Sequence, residues 1–360
     1  MGVIHEETAN RGPVSGSNYG FGGWRKNLKD SARCAHRRQA ANQLCRDIRP
    51  FKGSGITSRE SHMDGLHCEK YTGGLRAGLG RPAGTPSLHR EEMGNGSDKK
   101  TGRKIMKTLV IANQKGGVGK TSTLVHLVFD FLERGLKVCV IDLCPQANAS
   151  FTLREFDSGY IASDLLTKRS EDLKTLFSIS PDKPIVSLIA SDDVLADMEK
   201  RAMSDVAACF KSNIKALDEC GFDVCLIDTA PSLSISMAAA LFSADYVLSP
   251  VVLEAYSIQG MKKMVMTIAN VRKENTKLQF LGMVPSMVDM RNPRHGRHLN
   301  ELMNAYPTLM IPTRIGLRSG IADALASCKP VWKIKKTAAR KAAREIRALA
   351  NYVYEKMEIK

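Results

Sequence analysis

The sequence lacks long apolar runs. No stretch approaches the ~18 uncharged apolar residues of a membrane-spanning helix, so none is expected. The opening residues also lack the apolar core of a secretory leader. Cys-x-x-Cys pairs are missing. The nine cysteines are an odd number, three before residue 105 and six after it. Cys139 and Cys225 lie in apolar runs, where a reduced thiol is a small core side chain. This argues against a disulfide framework or a zinc site and for a reducing, cytoplasmic setting. Acid is in short supply. Against 53 Lys and Arg stand 37 Asp and Glu, a formal net charge of +16. That balance suggests a polyanionic partner, most often nucleic acid.

What is present is otherwise ordinary. With 43% hydrophobic and 25% charged residues, 360 residues suffice for a large core in one or two domains. The basic excess is uneven. Residues 1–105 hold 19 Lys and Arg against 10 Asp and Glu, a net +9, so the remainder carries +7. They also hold 17 of the 28 glycines and show little apolar periodicity. Such a segment buries too little apolar surface to offset its ordering entropy, and we expect disorder, with one basic helix over 31–49 as the alternative. Met106 stands one residue before the first apolar run. It is therefore read as the natural start, and the upstream part as an extension or a mis-assigned start; residues 106–360 form the second unit.

From Met106 onward strand and helix patterns alternate. Strands are expected at 107–113, 137–142, 184–190, 222–228, 245–252, 280–288 and 309–312. Helices are expected at 121–134, 161–167, within 191–219, and at 233–242, 258–273, 298–305, 321–327 and 337–357. Alternation of this kind predicts an α/β fold: a mostly parallel twisted sheet with helices on both faces. Ligands in such folds sit at the C-terminal ends of the strands.

The chemistry gathers at that edge. The run Leu109-Val110-Ile111-Ala112 is followed by Lys115-Gly116-Gly117-Val118-Gly119-Lys120-Thr121-Ser122 and then an amphipathic helix. Strand, glycine turn and helix together make a phosphate-binding loop. Glycines let several backbone N–H groups face one anion, and the helix N-terminus adds positive charge there. Lys120 is expected to reach the β- and γ-phosphates, and Thr121 to bind Mg²⁺. The usual first glycine is replaced by Gln114, and a second lysine, Lys115, opens the turn.

That deviant loop resembles the ParA/MinD group of ATPases, and the ParA/Soj partition type in particular, over residues 106–357. Two more segments carry the resemblance. Asp142-Leu143-Cys144-Pro145-Gln146-Ala147-Asn148 is similar to the family's Asp-x-Asp-Pro-Gln-x-Asn, and Asp228-Thr229-Ala230-Pro231 to its Walker B and switch segment. The resemblance implies a P-loop NTPase-like fold and ATP with Mg²⁺ as cofactors. It implies that residues 115–122 hold the nucleotide and that Thr121 and Asp228 hold the metal. Lys115, Lys120 and Asp142 are the implied catalytic groups, with Lys115 reaching across an ATP-dependent homodimer. Cys144 replaces an acid that helps orient water. A thiol is mostly protonated at neutral pH and accepts hydrogen bonds poorly, so slow turnover is expected.

The resemblance further implies nonspecific DNA binding, nucleoid association and a ParB-like centromere-binding partner. Three basic patches are candidates for the DNA: the loop around Arg291, Arg294 and Arg297; Arg314 and Arg318; and Arg340, Arg344 and Arg347 on the last helix. The apolar side of that helix (Ala339, Ala342, Ile346, Leu349, Val353) is small and suits core packing better than lipid, so no stable membrane association is expected. Alternatives are a MinD-like positioning ATPase at a membrane or scaffold, and a hydrolysis-deficient ATP-dependent dimer switch. An iron–sulfur ATPase is disfavoured, because no cysteine pair is placed to bridge a dimer.

Overall fold

The computed structural model describes residues 104–169, 173–177, 185–254 and 257–359. The readings made for the basic N-terminal segment lie outside these residues, apart from its last two positions.

Seven strands form one sheet: β1 (Lys107–Ile111), β2 (Lys137–Leu143), β3 (Asp157–Ile161), β4 (Ile185–Ala190), β5 (Val224–Thr229), β6 (Tyr246–Val252) and β7 (Gln279–Ser286). Their order is β3-β4-β2-β5-β1-β6-β7, and every pairing is parallel. The helices are α1 (Lys120–Glu133), α2 (Asn148–Thr152), α3 (Ala162–Thr167), α4 (Met203–Glu219), α5 (Ile235–Ser243), α6 (Ser257–Val271), α7 (Pro293–Ala305), α8 (Ser319–Ala326) and α9 (Thr337–Lys356), with a single turn at Leu173–Leu176 between α3 and β4.

The two-residue period of the strands builds two cores. Leu109 and Ile111 of β1, with Val138 and Val140 of β2, face α1 and α9. Val110, Cys139 and Ile141 point the other way, onto α4, α5 and α6. Strands buried on both faces read as continuous apolar runs, which is why the central strands were legible. The apolar side of α9 is buried as expected: Ala339, Ala342, Ile346, Leu349 and Val353 all lie in the core.

Two expectations are corrected. The helix expected at 298–305 begins at Pro293, so Arg294 and Arg297 stand on α7 and not in a loop. Residues 309–312 form only an isolated parallel bridge, Met283 to Met310. Proline at 312 has no N–H to extend a ladder. Edge strand β3 and one-turn α2 went unforeseen. β3 alternates exposed and half-buried residues and pairs with β4 through an irregular register, so it leaves no apolar period.

Candidate functional site: a phosphate loop over two buried carboxylates

β1 delivers the chain to the loop from the middle of the sheet. Asn113 anchors the turn: its Nδ2 donates to Pro250 O (2.7 Å), and its Oδ1 accepts from Lys115 N (2.9 Å). Gln114, standing where the usual loop has glycine, donates from Nε2 to Thr267 Oγ1 of α6 (3.0 Å). The replacement therefore ties the loop to α6. Gly117 and Gly119 have φ of 68° and 90°, the left-handed region. A Cβ on Gly119 would lie 2.8 Å from Ser286 Oγ.

Residues Gly116 to Ser122 line a cavity of about 450 Å³. Thr229, Pro231, Cys144, Gln146 and Asn148 close it on one side; Phe151, Met287, Leu325 and Ala326 supply apolar wall. Lys120 donates from Nζ to Lys115 O (3.1 Å), curling over the loop. Burial lowers its pKa, and the charge of Asp228 opposes that shift.

Thr121 donates from Oγ1 to Asp228 Oδ2 (2.6 Å). Asp228 is fully buried, and its Oδ1 has no hydrogen-bond partner among the described residues. Burial, reinforced by the nearby Asp142, pushes its pKa up to about 7. A hydroxyl beside an orphaned carboxylate oxygen is an all-oxygen donor set, which suits Mg²⁺. The residues present fit that ion.

β2 and β5 pair in register, so Asp142 stands beside Asp228. Asp142 is fully committed to its own loop. Its Oδ1 accepts from Cys144 N (3.0 Å), and its Oδ2 accepts from Ser150 N and Ser150 Oγ (both 2.8 Å). Like Asp228, it is fully buried and is not among the residues that line the cavity. Its hydrogen bonds make it an anchor of the loop after β2. Ser150 was missed: it stands eight residues after Asp142 and two beyond the end of that motif. Cys144 does line the cavity, and burial raises the pKa of its thiol, which keeps it protonated.

Lys115 is not brought to the cavity either. It pairs with Glu254, and both side chains are about half exposed. The basic candidates divide. Arg318 makes a paired contact with Glu345, through Nε (3.0 Å) and Nη2 (2.6 Å). Arg347 is held by Asp130 and Glu133 and stacks on Trp332, 3.7 Å from the ring centre. Both make ion pairs within the fold with which a DNA contact would have to compete. Arg340 and Arg344 are exposed and Arg314 is half-buried.

A family model described as an AAA domain matches residues 106–280. Protein IncC of Escherichia coli is 56% identical over 362 residues, covering 100% of both chains. The chromosome-partitioning ATPase Soj of Thermus thermophilus is 32% identical over 190 residues, covering 52% of this chain and 72% of its own. Among solved structures, an ATP complex of a Cyanothece McdA variant superposes with a TM-score of 0.60 at 24% identity, covering 71% of this chain and 97% of that one. The match at that identity shows the fold alone. By its full-length relative, its family model and its phosphate-loop fold, the chain belongs to the ParA/Soj-type family of P-loop partition ATPases.

Proposed function

We propose that this protein binds Mg²⁺-ATP in the phosphate-loop cavity, dimerises with ATP, coats DNA without sequence preference and hydrolyses ATP slowly. A ParB-like centromere-binding protein would stimulate release, moving a plasmid or chromosome region as cargo. The observation that carries the reading is the Thr121–Asp228 pair with its orphaned carboxylate oxygen, on the strand end beside the loop. Backbone N–H groups of residues 116–121 hold the phosphates, and Lys120 adds charge where it develops in phosphoryl transfer. When bound, Mg²⁺ neutralises the β- and γ-phosphate oxygens; Thr121 and Asp228 would hold it.

Slow turnover follows from the end of β2. Cys144 is protonated, and both oxygens of Asp142 are occupied, so neither accepts readily from an attacking water. Cys144→Asp should raise phosphate release several-fold; an unchanged rate would refute the assignment. The same observation supports the second reading, an ATP-dependent dimer switch with little turnover.

The fold supports one DNA face built from three separate patches. Val288 pairs with Gly316, which joins the turn of Arg291 and the start of α7, with Arg294 and Arg297, to the segment of Arg314. Gly316 and Arg318 in turn rest on Glu345 of α9, beside Lys341 and Arg344. Arg294, Arg297, Arg340 and Arg344 are exposed there. Lipid contact finds less support, because the apolar side of α9 is already buried. Among the described residues no helix is long and apolar enough to cross a membrane. The deciding experiment is phosphate release by the full-length chain with and without nonspecific duplex DNA. Turnover that rises with DNA and vanishes in Lys120→Ala is expected. ATP binding without any phosphate release would favour the switch.

A further inference from the structure

Helix α1 carries a polar stripe through an otherwise apolar, buried element. Ser122, His126, Asp130 and Arg134 follow at four-residue spacing, with Glu133 alongside. Ser122 lines the nucleotide cavity. Its carbonyl accepts from His126 Nδ1 (2.7 Å). A carbonyl cannot donate, so Nδ1 carries the proton and Nε2 is a bare acceptor. That Nε2 is buried without a partner among the described residues, and the ring meets Trp332 edge-on at 6.1 Å. Trp332 donates from Nε1 to Glu133 Oε1 (2.7 Å). Arg347 of α9 stacks on Trp332 and holds Asp130 and Glu133; Arg134 holds Asp130 and Asn351.

Apolar packing would join α1 to α9 more cheaply than a buried carboxylate with two guanidinium partners and an unsatisfied imidazole. The stripe starts at the nucleotide and ends on the helix that carries the exposed arginines. α1 is one rigid helix, about 21 Å long, so a shift at its phosphate end reaches its far end undiminished.

We propose that this stripe is a mechanical link: nucleotide in the cavity sets the position of α9, and so of Arg340, Lys341 and Arg344, through the Trp332–Arg347 clamp. Trp332 and Arg347 are positioning residues; neither touches nucleotide or DNA. The inference rests on the DNA-binding reading for its output, but not for its first step.

The test uses the full-length chain. Only Trp24 and Trp332 are tryptophans, so Trp24→Phe leaves Trp332 as the sole emitter. Its emission should change saturably with Mg²⁺-ATP, and not at all after Lys120→Ala. A nucleotide-binding protein whose Trp332 emission stays constant overturns the link. In the second arm, DNA affinity is measured with and without ATP. Trp332→Ala should reduce their ratio about fivefold or more while nucleotide affinity stays within twofold of the parent. Trp332→Phe, which keeps the ring under Arg347, should restore part of it. An unaltered ratio in Trp332→Ala overturns the proposal; if that variant does not fold, Glu133→Gln decides in its place. Should the parent bind no DNA in an ATP-dependent way, the DNA reading falls, and the emission arm alone decides the link.

Discussion

At Gly119 the backbone takes a φ of 90° with a hydroxyl 2.8 Å from where a Cβ would stand. Gly119→Ala combines left-handed strain with that clash. It should cost about 1–3 kcal/mol in denaturant unfolding and weaken nucleotide binding at least tenfold by titration. His126 gives a pH prediction. Burial lowers its pKa to about 4, against 6.5 in the unfolded chain. As pH falls the unfolded chain takes up the proton first. Stability is therefore intact above about 6.5 and lost progressively toward about 4, by about 3 kcal/mol at most. Asp228, raised to about 7, contributes a slope of opposite sign in the same window but titrates alike in both proteins, so the test is the difference: the stability of the parent minus that of His126→Gln should fall as pH drops from about 6.5 toward about 4. The residue types at the loop, and Cys144 as a departure, were legible because a phosphate site demands specific atoms at specific spacing. The engagement of Asp142 by Ser150 was not, because a hydrogen bond leaves no mark on spacing.

α9 shows what an element's sequence conceals. Its arginines at 340, 344 and 347 read as one stripe, yet the first two are exposed and the third is clamped. A helix wheel assigns angles; it does not say which neighbour fills them. Arg344→Ala should leave the melting midpoint unchanged while weakening DNA binding. Glu345→Ala should do the reverse first. It strips Arg318 and the Gly316 N–H of their acceptor, costing about 1–3 kcal/mol of stability by calorimetry. Nucleotide affinity should stay at the parent value in both. Equal effects of the two variants on melting would contradict the division into strut and surface cation. Elements with strong periods, α1 and the central strands, were readable to within two residues. β3 was not, because an edge strand with an irregular register carries no apolar alternation.

For the whole molecule, the DNA face offers the sharpest measurement. If Arg294 and Arg344 lie on one face, each contacts a phosphate, and log K against log salt should lose about 0.9 in slope per substitution. The double variant should lose their sum, with no change of sequence preference. A slope that ignores either residue would divide the face. The sequence by itself determined the phosphate loop, the acids at the ends of β2 and β5, the parallel α/β architecture and the family. These depend on local order along the chain: a period, a glycine where φ must be positive, a lysine next to it. Only the tertiary structure decided which charges are free. Asp130, Asp142, Arg318 and Arg347 each meet partners far away in sequence or folded over by a loop, and a buried charge is fixed by whatever the packing brings to it.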